Sequence, residues 1–436
     1  MKLVSGNRQS TKGSILIIVL WISFGLVALT IYFANSMSLE LRAASNRVSA
    51  TTSDQAIEGA ARYISQLLAN QINNGSNGIV PDPAGYASQA VPVGDAHFWI
   101  IGRDANGQAA RGQVVFGLVD EASKLNLNTA PSSQLELLPR MTTDLAGAIV
   151  DWRDADDTVS ANGAEAQTYA LQHPPYLCKN ANFETTDELR LVFGANMDIL
   201  AGEDLNRNGA LDPNEADDGN GVLDSGVLDY VTVYSREPNT GRARISNQGE
   251  ISSLLQKTFG LGRANQILAR PGLLNSISPL QFYIVSGMSA DEFAQIETNL
   301  TTTAASNLYI EGRINVSTAS MSVLACIPRL ANYAESLASY RLSNPDKLTS
   351  VAWVTSVIGK GGAAIQAGPY ITAQSYQFTA DVAALGQFGR GYRRVKFVFD
   401  TSDGTPKIIF RQDLSRLGWA LGKDTRQTWF MADYSK

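Results

Sequence analysis

The chain has 436 residues, of which 44% are hydrophobic and 17% are charged. This length exceeds what a single hydrophobic core usually organises, so two or three folding units are expected. A formal net charge of −6 argues against a general affinity for nucleic acid, and two cysteines are too few for a disulfide framework or a zinc ribbon. The sequence leaves open whether Cys178 and Cys326 bond to each other or remain free thiols.

The amino terminus is cationic and is followed by an uncharged apolar segment. Lys2, Arg8 and Lys12 precede residues 14–34, a run of 21 uncharged residues that makes about 30 Å of helix. Basic residues on this side predict that the short end stays in the cytoplasm and that the remainder lies outside the membrane. A cleaved secretory signal peptide and an ordinary single-pass anchor are the alternatives.

The apolar pattern continues beyond the span at a helical spacing. The recurring residues are Leu39, Leu41, Val48, Ile57, Ala60, Ala61, Ile64, Leu67 and Leu68. No helix breaker interrupts them, so the pattern predicts one helix to about Asn70. Such a helix would lie half in lipid and half on a soluble domain, which is unlike a disposable leader.

Strand-like segments lie near both ends of the chain. They occupy residues 96–101, 113–119, 375–383, 391–399 and 406–411. The first two flank Asn106-Gly107 and predict a hairpin, and the last three predict an antiparallel meander. A helix-rich middle between these strands predicts an α+β fold, in which a long amino-terminal helix lies on a small antiparallel sheet. Residues 120–374 would then be a large, mainly helical insertion between core segments 35–119 and 375–436.

The insertion contains a repeat. Residues 124–140 and 313–329 align without a gap, and a weaker third copy starts at Arg244. Each copy predicts an extended piece, a Ser or Thr cap and a helix that ends near proline. The copies resemble helix-hairpin-helix modules, whose DNA-binding form needs glycines in the hairpin. Glycines are absent after Pro139 and Pro328, which favours a structural scaffold.

Residues 202–229 carry eight acids and one base, Arg207. The first twelve-residue stretch matches a calcium loop of the EF-hand or dockerin type, with oxygen ligands at alternating positions and a glycine at the sixth. The candidate ligands are Asp204, Asn206, Asn208, Ala210, Asp212 and Glu215, followed by Asp217, Asp218, Asn220 and Asp224. The second group either forms its own site or completes the first. A solvated acidic loop that binds nothing is the alternative.

A further acidic set precedes this loop. It consists of Asp151, Asp154, Asp156, Asp157 and Glu165, and is either another oxygen-rich site or a group of loop-stabilising side chains. Catalysis is not indicated, because the acids lie in turn-like sequence and no phosphate-binding glycine loop or catalytic triad context is present.

Lys12-Gly13 directly before an uncharged helix resembles the processing site of type IV prepilins and pseudopilins. The resemblance implies that a prepilin peptidase cuts after Gly13, which removes leader residues 1–13. Ser14 would then be the mature first residue and would be methylated at its amine. Most members carry a glutamate at the fifth mature position, which is Ile18 here.

An ordered set of motifs narrows the resemblance. Asp-Trp-Arg-Asp-Ala-Asp at 151–156, Gly-Ala-Glu at 163–165, Lys-Asn at 179–180 and residues 186–194 are similar to the K-type minor pseudopilins of type II secretion. These proteins lack the glutamate, and the resemblance implies a non-enzymatic subunit at the pseudopilus tip that assembles with I and J pseudopilins.

This resemblance also implies a location in the inner membrane, with a large periplasmic domain and no nucleic-acid partner. A type IV pilus minor pilin and a membrane-anchored helix-hairpin-helix DNA-binding protein are the alternatives.

Overall fold

The computed structural model describes residues 12–109, 112–425 and 427–428. Its α-helices are α1 (Lys12–Asn73), α2 (Ser132–Leu135), α3 (Thr143–Arg153), α4 (Ala166–Ala170), α5 (Met197–Leu200), α6 (Gln248–Leu268), α7 (Pro279–Ser286), α8 (Ala290–Ala294), α9 (Met321–Cys326), α10 (Ala334–Ser343), α11 (Thr355–Ile358) and α12 (Gly362–Ala367). Its strands are β1 (Val91–Val93), β2 (Ala96–Ile101), β3 (Val119–Asp120), β4 (Leu125–Asn126), β5 (Val231–Thr232), β6 (Arg236–Pro238), β7 (Ala243–Arg244), β8 (Leu300–Thr301), β9 (Tyr309–Glu311), β10 (Ile314–Asn315), β11 (Ile371–Thr372), β12 (Gln377–Leu385), β13 (Arg393–Asp400) and β14 (Lys407–Asp413).

Helix α1 is a continuous rod of 62 residues, which is about 93 Å long. In the part of the chain that the structure describes, it is the one helix whose length and apolar composition suit a membrane span. Its side chains from Ile15 to Phe33 are exposed, whereas from Ala56 onward one face is buried against a sheet. The helix therefore has a bare apolar half and a packed half, as its sequence pattern predicts.

The packed half begins later along α1 than the sequence pattern predicts. Leu39, Leu41 and Val48 continue the apolar stripe, but they are 58%, 72% and 53% exposed. The first buried side chain on the helix is Ser49. The stretch before it extends beyond the reach of the sheet, so its apolar residues find no intramolecular partner.

The sheet that packs on α1 has strand order β1-β2-β12-β13-β14, with β3 also paired to β12, and every pairing is antiparallel. Strand β12 is buried along its whole length because both faces of the sheet are covered. Phe378 and Val382 pack with α1, while Ala383 and Leu385 pack on the opposite face. The α+β architecture of a long helix on an antiparallel sheet, with a helical insertion, is confirmed.

The carboxy-terminal meander is present as β12, β13 and β14, whereas the predicted hairpin after β2 is reduced to a single antiparallel bridge. The segment 113–119 contributes one antiparallel bridge, Ile101 to Phe116, and then β3. Strand β2 instead pairs with β1 on one side and β12 on the other. The Asn-Gly signal at residue 106 therefore marks a turn that is followed by this single bridge and not by a full paired strand.

The insertion connects β3 to β12 at one end of the sheet. Asp120 on β3 lies opposite Phe378 on β12, so the chain leaves and re-enters the sheet at neighbouring positions. Phe378 lines a small cavity together with Leu68 of α1, while the other end of β12 lies close to Ser49. The insertion therefore joins the sheet at the end that is farthest from the apolar half of α1.

The two repeated segments have the same backbone arrangement. Strand β4 runs parallel to β5, and β10 runs parallel to β11 in the same register. Just after these strands, Leu127 donates its backbone N–H to the Thr232 oxygen at 2.8 Å, and Val316 donates to the Thr372 oxygen at 3.1 Å. Each repeat thus begins with a short strand, β4 or β10, that pairs with a strand far along the chain, β5 or β11. Both of these partner strands end in a threonine.

The third copy begins two residues earlier than its sequence alignment predicts. Strand β7 runs parallel to β8, and Ile245 donates its backbone N–H to the Thr301 oxygen at 2.9 Å. Ile245 therefore occupies the place of Leu127, which aligns Arg242 with the leading basic residue in place of Arg244. Because Arg242 and Arg244 are both basic, the sequence allows either residue to be aligned with the leading basic residue of the other copies. The pairing of β7 with β8 decides between the two alignments.

Candidate metal centre

The acidic loop at residues 202–229 lies on the face of the sheet opposite α1. Arg394 of β13 donates to the backbone oxygens of Asn206 at 2.5 Å and of Arg207 at 2.6 Å. Arg103 donates to the same Arg207 oxygen at 2.9 Å. On another side, the Asn206 amide donates to the backbone oxygen of Trp419 at 3.2 Å. The loop is therefore held between the sheet and the carboxy-terminal segment.

The first half of the loop is a series of tight turns closed by its own side chains. The Asp204 carboxylate accepts the N–H groups of Asn208 at 2.9 Å and of Gly209 at 2.8 Å. The side-chain oxygen of Asn206 accepts the Asn208 N–H, and that of Asn208 accepts the Ala210 N–H. Gly209 has a φ of 74°, which explains why glycine stands at the sixth position.

The second half of the loop returns to the first. Glu215 accepts the N–H groups of Asn206 at 3.2 Å and of Asp212 at 3.0 Å. One oxygen of Asp212 accepts the side-chain amides of Asn206 at 2.6 Å and of Asn208 at 2.9 Å. The alternating polar residues of the predicted calcium loop therefore face one another across a closed ring.

Burial disfavours the charged form of two carboxyl groups in this ring. Asp204 is 4% exposed, and burial raises the pKa of its carboxyl group, although Arg103 lowers it and Asp229 raises it further. Burial likewise raises the pKa of Glu215. The candidate donors are all oxygen atoms, which is the donor set that calcium prefers, so their chemistry fits this ion. Among the described residues, the three ring carboxylates do not form a group whose oxygens converge within 4.8 Å.

A second acidic group forms beside the ring and includes a residue that the sequence analysis missed. Glu203, Asp217 and Asp218 each place a carboxylate oxygen within 4.8 Å of the others. Glu203 also accepts the N–H groups of Asp218 and Asp224, each at 3.0 Å. Asn220 donates its amide to Asp224 at 3.1 Å. Asp217 and Asp218 thus gather around Glu203, and not around the first ring.

Glu203 reaches this group because the two ends of the loop touch. Gly202 forms a bridge with Ser225 and has a φ of 64°. A β-carbon at Gly226 would overlap the backbone of Leu200, so the close approach requires glycine there. This closure joins residues about 23 positions apart. The glycines at 202 and 226 were the available sequence signal for this closure. They did not indicate that Glu203 would be the acid placed beside Asp217 and Asp218.

The structure divides the acidic set that follows α3. Asp151, Asp154 and Glu165 each place an oxygen within 4.8 Å of the others. Asp156 and Asp157 instead accept hydrogen bonds within the surrounding loops, each at 2.8 Å. The sequence could not separate the two subsets, because all five residues lie in one polar segment.

Both cysteines are free thiols. Burial raises the pKa of Cys178 to about 11 and that of Cys326 to about 12. Both groups therefore remain protonated near neutral pH, where the nucleophilic thiolate form is scarce.

The predicted leader lies mostly outside the described residues, which begin at residue 12. Gly13 and Ser14 belong to the first turn of α1, and the surroundings of these two residues are not described. Cleavage between them remains a prediction from the sequence.

A long stem helix laid on an antiparallel sheet defines a pilin-like protein. Residues 123–202 match the family model for "Type II secretion system (T2SS), protein K". The type II secretion system protein K of Pectobacterium carotovorum subsp. carotovorum is 33% identical over 115 residues, which cover 23% of this chain and 35% of that protein. The protein of the same name from Aeromonas hydrophila is 29% identical over 209 residues, which cover 45% of this chain and 62% of that protein.

Over these matched segments the chain is similar to protein K of the type II secretion system. The matched segments span about a third and about three-fifths of the two relatives' own lengths. A chain in the crystal structure of the GspK-GspI-GspJ complex from the enterotoxigenic Escherichia coli type 2 secretion system aligns with a TM-score of 0.39 at 12% identity, covering 83% of this chain and 96% of that one.

Proposed function

We propose that the protein is a minor pseudopilin at the tip of the type II secretion pseudopilus, where it serves protein export across the outer membrane. One observation carries this proposal: the insertion joins the sheet at the end farthest from the apolar stem. A subunit with a broad head at that end blocks the position that a following subunit would occupy. Similarity to protein K of the type II secretion system over the matched segments supports the same role.

The proposal includes a location and a processing step. Helix α1 would anchor the chain in the inner membrane, with a short cytoplasmic end and the head in the periplasm. A prepilin peptidase would cut after Gly13, and the amine of Ser14 would be methylated. Ile18 stands where the glutamate of most family members would pair with a neighbouring amine, so this subunit cannot make that ion pair.

We propose a structural role, without catalysis, for the insertion, with its repeats forming a scaffold of the helix-hairpin-helix type. Arg140 and Arg329 occupy equivalent positions with φ values of 61° and 68°. Arg140 donates to the backbone oxygen of Asp198 at 3.4 Å, and Arg329 donates to Gln366 at 2.8 Å. These arginines contact the protein itself, which supports a scaffold over a surface that grips a phosphate backbone.

Calcium is the proposed ion of the ring at residues 204–215 and of the neighbouring Glu203 group. Chelation should lower the melting temperature and increase proteolysis within residues 202–229, because the buried carboxylates lose their counter-charge. An ion at a hundredfold excess over its Kd contributes about 2.7 kcal/mol. In Asp212→Asn, proteolysis of the loop should be fast with or without chelator. Asp198→Asn, at an exposed acid outside the loop, should retain the response of the unaltered chain.

Loop cleavage that is indifferent to chelator in the unaltered chain would remove calcium from this proposal.

Assembly is tested by co-expressing the full-length chain with the I and J pseudopilins and isolating it in detergent. The three proteins should co-purify. Met37→Arg combined with Leu41→Arg should reduce this co-purification while leaving the unfolding of the head unchanged, because both residues are exposed on the bare stem. Gln256→Arg, at an exposed position on the insertion, is the matched control. Isolation without I and J, or with type IV minor pilins, would contradict the proposal.

A further inference from the structure

Arg341, on α10, is a buried cation whose hydrogen-bond partners are neutral oxygens. The residue is 4% exposed, and burial lowers the pKa of its guanidinium group to about 10. Proteins usually pair a buried charge with an opposite one, as Arg394 is paired with Asp381 at 2.6 Å. Within the part of the chain that the structure describes, Arg341 has no such carboxylate. The cation is therefore hydrogen-bonded by the protein but not neutralised by it.

One side of this guanidinium group serves the repeat in which it lies. Its Nη1 atom donates to the backbone oxygens of Val316 at 3.3 Å and of Ala319 at 2.5 Å. The first repeat has the same contact, because Arg153 donates to the backbone oxygens of Leu127 and Ala130. These oxygens occupy equivalent positions in the ungapped alignment of the two repeats. The repeat thus accounts for Nη1, and the remaining donors of the group need another explanation.

The other side of the guanidinium group faces the turn that follows β2. The Nε and Nη2 atoms of Arg341 both donate to the side-chain oxygen of Asn106, at 2.9 and 2.7 Å. Nη2 also donates to the backbone oxygen of Ala105 at 3.2 Å. Adjacent N–H groups of a guanidinium form a fork that fits the two oxygens of a carboxylate. An amide offers this fork one oxygen and no negative charge, so Asn106 stands where an aspartate would complete a buried ion pair.

Asn106 is followed by Gly107, and this order of residues permits a specific reaction. The backbone nitrogen of a residue can attack the side chain of an asparagine just before it, most readily where the residue is glycine and no β-carbon obstructs the approach. Gly107 is exposed, has a φ of 66°, and a β-carbon there would meet nothing within 4 Å. Its N–H donates to the backbone oxygen of Asp104 at 3.5 Å, which is long for a hydrogen bond. The nitrogen is thus weakly held, and water can reach the turn.

The setting of Asn106 differs from that of the other Asn-Gly pairs. Among the described residues, the side-chain oxygens of Asn208 and Asn220 accept backbone N–H groups. The remaining pairs begin at residues 74, 77 and 162, and in the described part of the chain none of their side-chain oxygens accepts a hydrogen bond from a charged group. Asn106 therefore combines a reactive dipeptide with a cation held on its side-chain carbonyl.

We propose that Asn106 is a site of spontaneous deamidation and that the resulting aspartate forms an ion pair with Arg341. The nitrogen of Gly107 gives its proton to water and bonds to Cγ of Asn106. The Cγ–Nδ2 bond then breaks, and the leaving nitrogen takes a proton from water and departs as ammonia. Water adds to Cγ of the five-membered imide and breaks the new bond, which restores the Gly107 N–H and leaves a carboxylate and a proton. One water is consumed, one ammonia is released, and nothing is oxidised or reduced.

Arg341 favours both steps. During the attack, negative charge develops on the side-chain oxygen of Asn106, to which two N–H groups of Arg341 already donate. The same donors polarise the Cγ carbonyl of the imide, so water adds there and the product is ordinary aspartate. Addition at the main-chain carbonyl would give isoaspartate instead. Because Asn106 lies in the core and Arg341 lies in the insertion, the product adds a charged link between them, whatever the role of the chain in a pseudopilus.

Mass spectrometry of the full-length chain in detergent tests the reaction. After incubation in mildly alkaline buffer made with heavy-oxygen water, the peptide that contains Asn106 should carry one heavy oxygen, and electron-transfer fragmentation should identify aspartate. In the chain unfolded by urea, where Arg341 no longer contacts the turn, the same peptide should yield mostly isoaspartate. Arg341→Lys keeps the charge but removes the fork, and should slow conversion in the folded chain by about tenfold or more, because loss of one oxyanion donor costs about 100-fold in enzymes.

Asn74, an exposed asparagine before Gly75, is the internal reference and should convert at the same rate in both chains. The inference is overturned if Asn106 stays an amide while Asn74 converts. It is also overturned if isoaspartate is the main product in the folded chain, or if Arg341→Lys leaves the rate at Asn106 unchanged.

Asn106→Asp tests the ion pair separately, in a chain that needs no reaction. At neutral pH its melting temperature should exceed that of the freshly purified, unaltered chain by several degrees, because the buried cation gains a counter-charge. In the Arg341→Met background the gain should disappear, since the new carboxylate then has no cation beside it. Asn74→Asp is the matched control and should not raise the melting temperature. A gain that persists without Arg341, or no gain in its presence, would contradict the ion pair.

Discussion

Arg394→Met should lower the free energy of unfolding by about 3–5 kcal/mol, the usual effect of removing one partner from a buried ion pair. Arg394 is fully buried and binds Asp381 through two hydrogen bonds of 2.8 and 2.6 Å. It also holds the backbone oxygens of Asn206 and Arg207. The substitution therefore leaves the buried Asp381 carboxylate and the Asn206 oxygen without the donors that Arg394 supplies, while Arg103 still donates to the Arg207 oxygen. Denaturant unfolding of the head measures the change.

The neighbouring residue provides a matched control. Arg393 pairs with Asp54 at 2.8 Å, but the two side chains are 38% and 58% exposed. Arg393→Met should therefore change the free energy of unfolding by no more than about 1 kcal/mol. Adding Asp381→Leu to Arg394→Met should recover part of the loss, because the uncompensated charge is then gone. Equal effects of the two arginine substitutions would show that the buried pair does not hold the sheet to the loop.

Gly13→Leu should abolish removal of the leader. A large side chain at this position should stop the peptidase, since the resemblance places the cut immediately after this glycine. Lys2, Arg8 and Lys12 would then remain attached in front of the apolar span, where charges are costly to draw into lipid. Intact mass spectrometry of the membrane-extracted protein should show the full precursor, whereas the unaltered chain should lack residues 1–13.

Gly25→Leu is the control for this experiment. Gly25 lies in the middle of the apolar span, and a β-carbon added there would meet nothing within 4 Å. This variant should be trimmed normally. A mature chain that begins near Asn35, with the apolar segment removed, would contradict the pilin-like processing and would indicate a secretory signal peptide.

The features that the sequence predicted well are those set by local spacing. Helix α1 and strands β12 to β14 follow from apolar periodicities that a single segment displays. The turns of the acidic ring also depend on neighbours in sequence, since Asp204 reaches no farther than Gly209. Local chemistry was enough to predict both.

The features that the sequence did not reveal depend on contacts between distant segments. The hairpin after β2 stops at one bridge because the segment that follows the turn goes on to pair with β12, far along the chain, through Val119 and Asp120. Glu203 joined Asp217 and Asp218 through the closure of the loop at Gly202. The third repeat was misaligned because its register is set by Thr301 on β8. In each case the deciding partner lies outside the local pattern.

Asp120 and Phe378, the positions where the chain enters and leaves the insertion, are paired neighbours in the sheet. The insertion is therefore separable in topology from the core formed by α1 and the main sheet. The insertion between β3 and β12 leaves and re-enters the sheet at these two adjacent positions. The order of strands β1, β2, β12, β13 and β14 therefore does not depend on the residues of the insertion. A short turn joining the two positions would yield a trimmed pilin whose strand order is unaltered. Because of this topology, the insertion can be enlarged or exchanged during evolution without any change in the strand connections of the helix-and-sheet core.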